Sequence, residues 1–484
     1  MIKEENGKKQ EKPKKSQSKW EFSIIKYVFV ILFLALIAHF VNFMLNESED
    51  FINNDYNSRE ELFEERVSRG EIYSADGYVL AETVIGEDGE EERYYPYDNL
   101  FFHVVGYSTK GKTGIEKMAN FNLLRSHVSV SEKVQTELEA EKYPGDNVIT
   151  TLNFELQEAA CEALSGYEGA VVVIEPSTGK ILAMVSKPDY NPNHIEEDWE
   201  YIISENNSSS VLLNRVTQGL YPPGSTFKIV TTLAYLRENT DETLYSYDCN
   251  GKLTAENAVI HCINNKKHGT VTLEESFAES CNSSFANIGL SVSPSNFQTV
   301  CDKLLFNSEL PTKFTYSKSS FVLASDASDA DIVQAAIGQG TTLVTPFHMA
   351  LITSAIANDG VLMNPYVIDR VENYLGETVT QYSPSKYGQL MTTEEAAALQ
   401  SYMKAVVDYG TGKKLQSDLY EATGKTGSAE FSSQTNKCHS WFVGYAHQDG
   451  KADIAIAVLV EEAGTGSTVA VPIAKEIFDT YFAE

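Results

Sequence analysis

A serine hydroxyl attacks a carbonyl only when a neighbouring base takes its proton, and a lysine one helical turn further on is placed to do so. The stretch Tyr221-Pro222-Pro223-Gly224-Ser225-Thr226-Phe227-Lys228 offers that pair. Its prolines and glycine forbid regular helix, whereas Phe227, Val230, Leu233 and Leu236 then recur every third residue. A helix therefore starts at or beside Ser225, with Lys228 on the same face as the hydroxyl. Spacing alone selects nothing, because Ser-x-x-Lys also occurs at Ser177/Lys180, Ser383/Lys386 and Ser401/Lys404, and an N-cap serine beside a surface lysine reads the same way. Two later stretches supply company. Glu279-Ser280-Cys281-Asn282 offers a hydroxyl and a carboxamide two residues apart, at a helical segment running to Leu290. Thr423-Gly424-Lys425-Thr426-Gly427-Ser428 reads as an edge strand whose glycines let another backbone approach closely.

The elements that must hold these groups lie at both ends of the same region. Residues 169–175 and 179–185 are apolar runs joined by the tight turn Pro176-Ser177-Thr178-Gly179, and residues 440–446 and 452–461 form a second hairpin across 447–451. Residues 148–153 read as extended, 154–164 as a helix capped by Asn153, and 471–482 as a closing helix. Strand pairs at both ends with helices between them predict an α+β fold: one antiparallel sheet built from two distant segments, with a helical region inserted.

The order Ser-x-x-Lys, Ser-x-Asn, Lys-Thr-Gly, at intervals of 55 and 145 residues, resembles the penicillin-recognising serine acyltransferases, and most closely the class B penicillin-binding proteins, monofunctional peptidoglycan D,D-transpeptidases. The resemblance extends to residues 169–188, Leu213-Asn214-Arg215, Ile337-Gly338-Gln339-Gly340, Val344-Thr345-Pro346-Phe347 and residues 441–446. Arg69-Gly70 and Gly111-Lys112-Thr113-Gly114-Ile115-Glu116 are similar to that family's N-terminal pedestal, which accounts for a stray Lys-Thr-Gly. Cys281 fills the variable middle position of Ser-x-Asn.

The resemblance implies a division of labour. Ser225 attacks the carbonyl between two D-alanines of a stem peptide; Lys228 accepts its proton. Ser280 relays that proton to the departing D-alanine, and Asn282 binds the substrate amide and Lys228. Lys425 adds positive charge, Thr426, Gly427 and Ser428 line the substrate-binding edge, and the backbone N–H groups of Ser225 and Ser428 form the oxyanion hole. No metal or organic cofactor is implied. Partners implied are stem peptides and penicillin, a SEDS-family glycan polymerase, and other divisome or elongasome proteins. Two other outcomes share the motifs: a hydrolase (D,D-carboxypeptidase or β-lactamase) and a non-catalytic penicillin-binding scaffold or sensor. Between Asn282 and Lys425 no Glu-x-x-Leu-Asn segment supplies a base for water; the nearest approach, Glu372-Asn373-Tyr374-Leu375, ends in Gly376, which disfavours the hydrolase.

Composition sets the remaining bounds. A hydrophobic fraction of 42% with 22% charged residues over 484 positions is that of a globular chain with a sizeable core. The net charge of −30 argues against nucleic acid as a partner. Residues 1–26 nevertheless carry +4 and the remainder −34, and residues 27–45 between them contain no Asp, Glu, Lys or Arg. Such a stretch is long enough to span a bilayer, and lysines before it with acids after it predict a single-pass anchor with the N-terminus cytoplasmic and the catalytic domain outside. The expected organisation is a basic tail (1–26), an anchor (27–45), a pedestal (46–145) and a transpeptidase domain (146–484). Within the pedestal, 58–65 reads as a charged helix, 69–81 as a hairpin turning at Asp76-Gly77, and 87–92 as an acidic loop. Cys249 and Cys262, thirteen apart, can be a disulfide or an unpaired buried pair. Cys161, Cys281, Cys301 and Cys438 show no metal-ligand spacing, His261 and His268 read as structural, and residues 206–210 as a solvated loop.

Overall fold

The computed structural model describes residues 18–44, 60–86, 89–139, 141–204, 209–239, 242–430 and 437–483. The chain divides into two compact units, residues 1–57 and 58–484. In the first, the helix Ser18–Asn42 includes a 21-residue apolar stretch from Phe22 to Asn42, long enough to cross a membrane and with its side chains exposed. It begins nine residues before the expected span; Leu45 and the basic residues before Ser18 lie outside the described residues.

The second unit is organised on a five-stranded antiparallel sheet in the order Glu421–Glu430, Cys438–His447, Ile454–Val460, Gly169–Ile174, Ile181–Lys187. Early and late segments of the chain thus meet at Ile454–Val460 and Gly169–Ile174, as the strand pattern predicted. Side chains alternate across the sheet. Val172, Ala457, Leu459 and Val443 face the helix Pro346–Ala357 and the inserted helices, while Val171, Val173, Ile456, Val458 and Phe442 face the helices Phe154–Ala163 and Ala470–Ala483. Both faces are buried, which explains why these strands read as continuous apolar runs. The Lys-Thr-Gly strand lies on the sheet's edge.

The pedestal rests on a six-stranded sheet in the order Thr378–Gln381, Ile368–Glu372, Asn147–Thr150, Ile72–Tyr73, Val79–Ile85, Glu91–Tyr94. The Asp76-Gly77 hairpin is present, with Gly77 at φ +91. The charged helix is described over Glu60–Glu64, ending one residue before the expected Glu65, and Ser58 and Arg59 lie outside the described residues. The acidic 87–92 loop ends sooner than expected, since Glu91 already pairs with Ile85; Glu87 and Asp88 fall outside the description. Three strands of this sheet come from beyond residue 145, so the pedestal is completed by a hairpin more than two hundred residues downstream. Asn153 caps its helix as read, its Oδ1 accepting from Leu156 N at 2.8 Å. Of the 206–210 loop, Asn206, Asn207 and Ser208 lie outside the described residues.

Candidate active site

Ser225 sits on a tight 3-10 turn, Gly224–Phe227, that runs straight into the α-helix Lys228–Glu238. The prolines explain the tighter start, and the turn is pinned on every side. Gly224 adopts φ +51, and its N–H donates to Gly338 O at 2.9 Å. A Cβ on Gly224 would lie 2.9 Å from Ser428 O and 3.0 Å from Ala429 Cα, so only glycine lets the serine turn lie against the edge strand. Trp441 Nε1 donates to Pro222 O at 3.1 Å, and Tyr221 exchanges backbone hydrogen bonds with Val344. The Tyr221 hydroxyl and Arg215 Nε both donate to Glu461 Oε1 at 2.7 Å. These contacts account for most of the segments on which the sequence resemblance rests.

The two lysines converge on Ser280. Lys228 Nζ donates to Ser280 O and to Asn282 Oδ1, both at 2.8 Å, and lies 3.1 Å from Ser280 Oγ. Lys425 Nζ lies 3.0 Å from the same Oγ and donates to Thr426 O at 3.0 Å. Both ammonium groups are fully buried, over Phe285 and Phe277 respectively. Burial pushes Lys228 down to about 7, and burial together with the Lys228 charge pushes Lys425 well below the usual lysine range. Two buried cations on one hydroxyl repel each other, so burial and their mutual charge favour a neutral amine at one of the two positions. Asn282 turns its amide nitrogen the other way, donating to His261 O at 3.0 Å.

Ser225, Asn282 and Ser428 border one cleft, whose other walls include Val259, Ile260, His261, Gln334, Gln339 and Thr465. Among the described residues lining it there is no Asp or Glu. Ser428 Oγ accepts from Gly466 N at 3.3 Å, and Thr426 Oγ1 lies 2.6 Å from Thr411 Oγ1. Ser225, Asn282 and Ser428 thus border the cleft, and Lys228, Ser280 and Lys425 meet one another through hydrogen bonds beside Asn282. Thr426 and Gly427 lie between Lys425 and Ser428 on the edge strand, Gly427 against Thr226 and Trp441.

The family described as penicillin binding protein transpeptidase domain matches residues 169–479, and that described as penicillin binding protein A dimerisation domain matches residues 69–148. The chain belongs to the penicillin-binding protein transpeptidase family. It is similar to a peptidoglycan D,D-transpeptidase PbpA of Mycolicibacterium smegmatis, with 30% identity over 477 residues, 92% of this chain and 95% of that one. It also resembles the crystal structure of the D,D-transpeptidase domain of a peptidoglycan glycosyltransferase from Eggerthella lenta (TM-score 0.78, 32% identity, 86% of this chain and 99% of that one). A third likeness is to penicillin-binding protein A from M. tuberculosis in its penicillin G acyl-enzyme complex (TM-score 0.76, 27% identity, 86% and 99%).

In this penicillin-binding protein the pedestal segments noted in the sequence form one buried ion cluster. Arg69 Nε and Arg93 Nε donate to the two oxygens of Glu116 at 2.8 and 2.7 Å, and Arg69 Nη1 donates to Asn120 Oδ1 at 2.6 Å. Burial alone would push the Glu116 carboxyl up; the two guanidiniums outweigh it and hold it down at about 2. Sequence reading missed Thr411, whose N–H donates to Ala278 O at 3.1 Å and whose hydroxyl meets Thr426. Its only signal is the flanking Gly410 and Gly412; a Cβ on Gly410 would lie 2.2 Å from Ala278 O.

Cys249 and Cys262 are a free, buried pair, the second of the two arrangements open from the sequence, with their sulfurs 3.7 Å apart. Cys281, which shows no metal-ligand spacing in the sequence, and His268, which reads there as structural, nevertheless bring side-chain atoms within 4.8 Å of those sulfurs.

Ser280 itself is strained. It follows the helix Leu273–Ala278 as the left-handed residue of a Schellman-type ending, φ +54, with Ser280 N donating to Phe277 O at 3.1 Å and Cys281 N to Ser276 O at 2.9 Å. Glycine is the usual occupant; serine costs about 1 kcal/mol more there. Ser280→Gly and Ser280→Ala both remove the hydroxyl, so both should lose acylation activity, but the glycine variant should unfold about 1 kcal/mol later than the alanine variant. Denaturant unfolding of the pair checks this. Equal stabilities would mean that the turn carries no backbone strain.

Proposed function

We propose that Ser225 is the acylated residue of this chain and that Lys228, Ser280 and Lys425 move its proton. The chain is a serine D-Ala-D-Ala transpeptidase that binds penicillin and cross-links peptidoglycan stem peptides. In the proposed cycle Ser225 Oγ attacks the carbonyl of the penultimate D-alanine while Lys228, neutral, takes the hydroxyl proton. The carbonyl oxygen becomes an oxyanion facing the N–H groups of Ser225 and Ser428, donors of a kind worth about 3 kcal/mol each. Collapse breaks the peptide C–N bond. Ser280 gives its proton to the departing amine and is reprotonated from Lys228, leaving an ester on Ser225. A second stem peptide's amine then attacks the ester, its proton passes to Lys228 and on to Ser225 Oγ, and the cross-link leaves.

The observation that carries this reading is the single hydroxyl shared by two buried amines: Ser280 Oγ lies 3.1 Å from Lys228 and 3.0 Å from Lys425. With one proton between the two amines, the contacts are satisfied in either direction through Ser280: Lys228 cationic, the form its own charge favours by lowering Lys425, or Lys425 cationic with Lys228 neutral, the form competent to take the Ser225 proton. Lys425 also lends positive charge, with Thr426, Gly427 and Ser428, to an edge where a terminal carboxylate would bind. The lack of a carboxylate among the described cleft residues favours amine over water as acceptor. With a D-alanyl thioester donor, adding a D-amino acid should shift product from free acid toward amide in proportion to acceptor. Free acid alone at every acceptor concentration would move the assignment to a hydrolase.

The domain division proposed is tail 1–26, anchor 27–45, pedestal 46–145 and transpeptidase domain 146–484, the pedestal's sheet borrowing strands from the last. The charge asymmetry supports a cytoplasmic N-terminus and an external catalytic domain, which protease added to protoplasts carrying an N-terminal tag would check. A SEDS-family polymerase and divisome or elongasome proteins are proposed partners, to be sought by co-purification.

A further inference from the structure

We propose that Cys249, Cys262, His268 and Cys281 bind one zinc ion, which clamps the 247–271 insert to the Ser280–Asn282 turn. The four candidate ligand atoms lie within 4.8 Å of one another. Cys262 Sγ is 3.7 Å from both Cys249 Sγ and Cys281 Sγ, and Cys249 Sγ is 3.3 Å from His268 Nδ1. A tetrahedral site with Zn–S near 2.3 Å and Zn–N near 2.0 Å has S···S edges of about 3.8 Å and S···N edges of roughly 3.5 Å. The shorter observed edges already match those lengths, and the longest separation need contract by only about 1 Å.

The surroundings fit a metal better than an apolar cysteine pocket. Ser283 Oγ, fully buried, lies 3.0, 3.3 and 3.5 Å from the sulfurs of Cys249, Cys262 and Cys281, where a hydroxyl can donate to thiolates. Cys281 caps the helix Asn282–Leu290, its sulfur accepting from Ser284 N at 3.4 Å, so the helix end also favours a thiolate. Each ligand is delivered by a turn with left-handed backbone close by: Gly251, Asn264 and Asn265, Gly269, and Ser280. A disulfide would consume two sulfurs and leave the third and the imidazole unexplained.

The insert also needs a clamp. It consists of two short two-stranded ribbons, Tyr247–Cys249 with Gly269–Val271 and Lys252–Ala255 with Ala258–His261, and most of its side chains are exposed. Such small pieces seldom hold together without a staple. Three sulfurs and one nitrogen are the donor set of a closed structural zinc site with no open position for water. Its effect reaches the active site through the chain, since Cys281 lies between Ser280 and Asn282, which both bind Lys228.

The test uses the full chain purified in detergent without added metal. Elemental analysis should find about one zinc per chain, falling at least tenfold in Cys262→Ser and staying unchanged in Cys161→Ala. Should Cys262→Ser not fold, the wild-type chain stripped by chelator and titrated with Co²⁺ should show the thiolate charge-transfer and ligand-field bands of a tetrahedral site. Saturation at about one equivalent should protect three of the six cysteines from a thiol reagent. No stoichiometric zinc with no tetrahedral cobalt spectrum, or a native disulfide joining any two of Cys249, Cys262 and Cys281, would overturn the proposal.

Discussion

Replacing Lys228 by alanine is expected to slow acylation by penicillin by roughly 10²–10⁴-fold, the usual worth of a positioned general base. Lys228 is the titratable group one turn from the serine, and its amine is already oriented by Ser280 O and Asn282 Oδ1 at 2.8 Å. Because burial sets its proton affinity near 7, the reactive neutral form should grow as pH rises. The wild-type acylation rate should therefore climb through about 7 and level off above it, and the alanine variant should lose that rise. Stopped-flow or gel-based labelling with a fluorescent penicillin measures both effects. A variant that acylates within a few-fold of wild type, with the same pH profile, would place the base elsewhere.

Glu116→Gln is expected to destabilise the folded chain by about 3–5 kcal/mol, because breaking a buried ion cluster from one side leaves the other charges uncompensated. Arg69 and Arg93 both point their guanidiniums at the fully buried carboxylate, and a carboxamide supplies no charge to balance them. The sign of the pH dependence follows from the folded proton affinity, about 2, against an ordinary value of 4.5. The stabilisation is complete above about 4.5 and drains away as the pH falls toward 2, so the gap between wild type and variant should narrow over that window. Denaturant midpoints at neutral and acid pH provide the comparison. A variant within about 0.5 kcal/mol of wild type at pH 7 would mean that the cluster is solvated rather than structural.

Much of this was legible from residues. The three motifs carry their own local logic: prolines and glycine before Ser225, a helix boundary around Ser280, and glycines along the Lys425 strand. The apolar runs at 169–185 and 440–461 identified the sheet, because a strand buried on both faces has no polar alternation to confuse it. What escaped reading depends on contacts between distant positions. Thr411 reaches Thr426 only because the helix Thr393–Asp408 ends against Ala278, and nothing in the local sequence marks that meeting. Ile368–Glu372 completes the pedestal sheet from far downstream. The thiol cluster escaped for the same reason: Cys249, Cys262, His268 and Cys281 stand 13, 6 and 13 residues apart, without the short paired spacing of a recognisable metal knuckle.

The most direct test of Ser225 as the acylated residue is peptide mapping by mass spectrometry after the purified chain has been incubated with penicillin. One penicilloyl group should be found on the peptide containing Ser225, should persist far longer than it took to form, and should be absent from Ser225→Ala, whose circular dichroism and unfolding midpoint should match the wild type. A penicilloyl group on any other residue, or undiminished labelling of Ser225→Ala, would contradict the account.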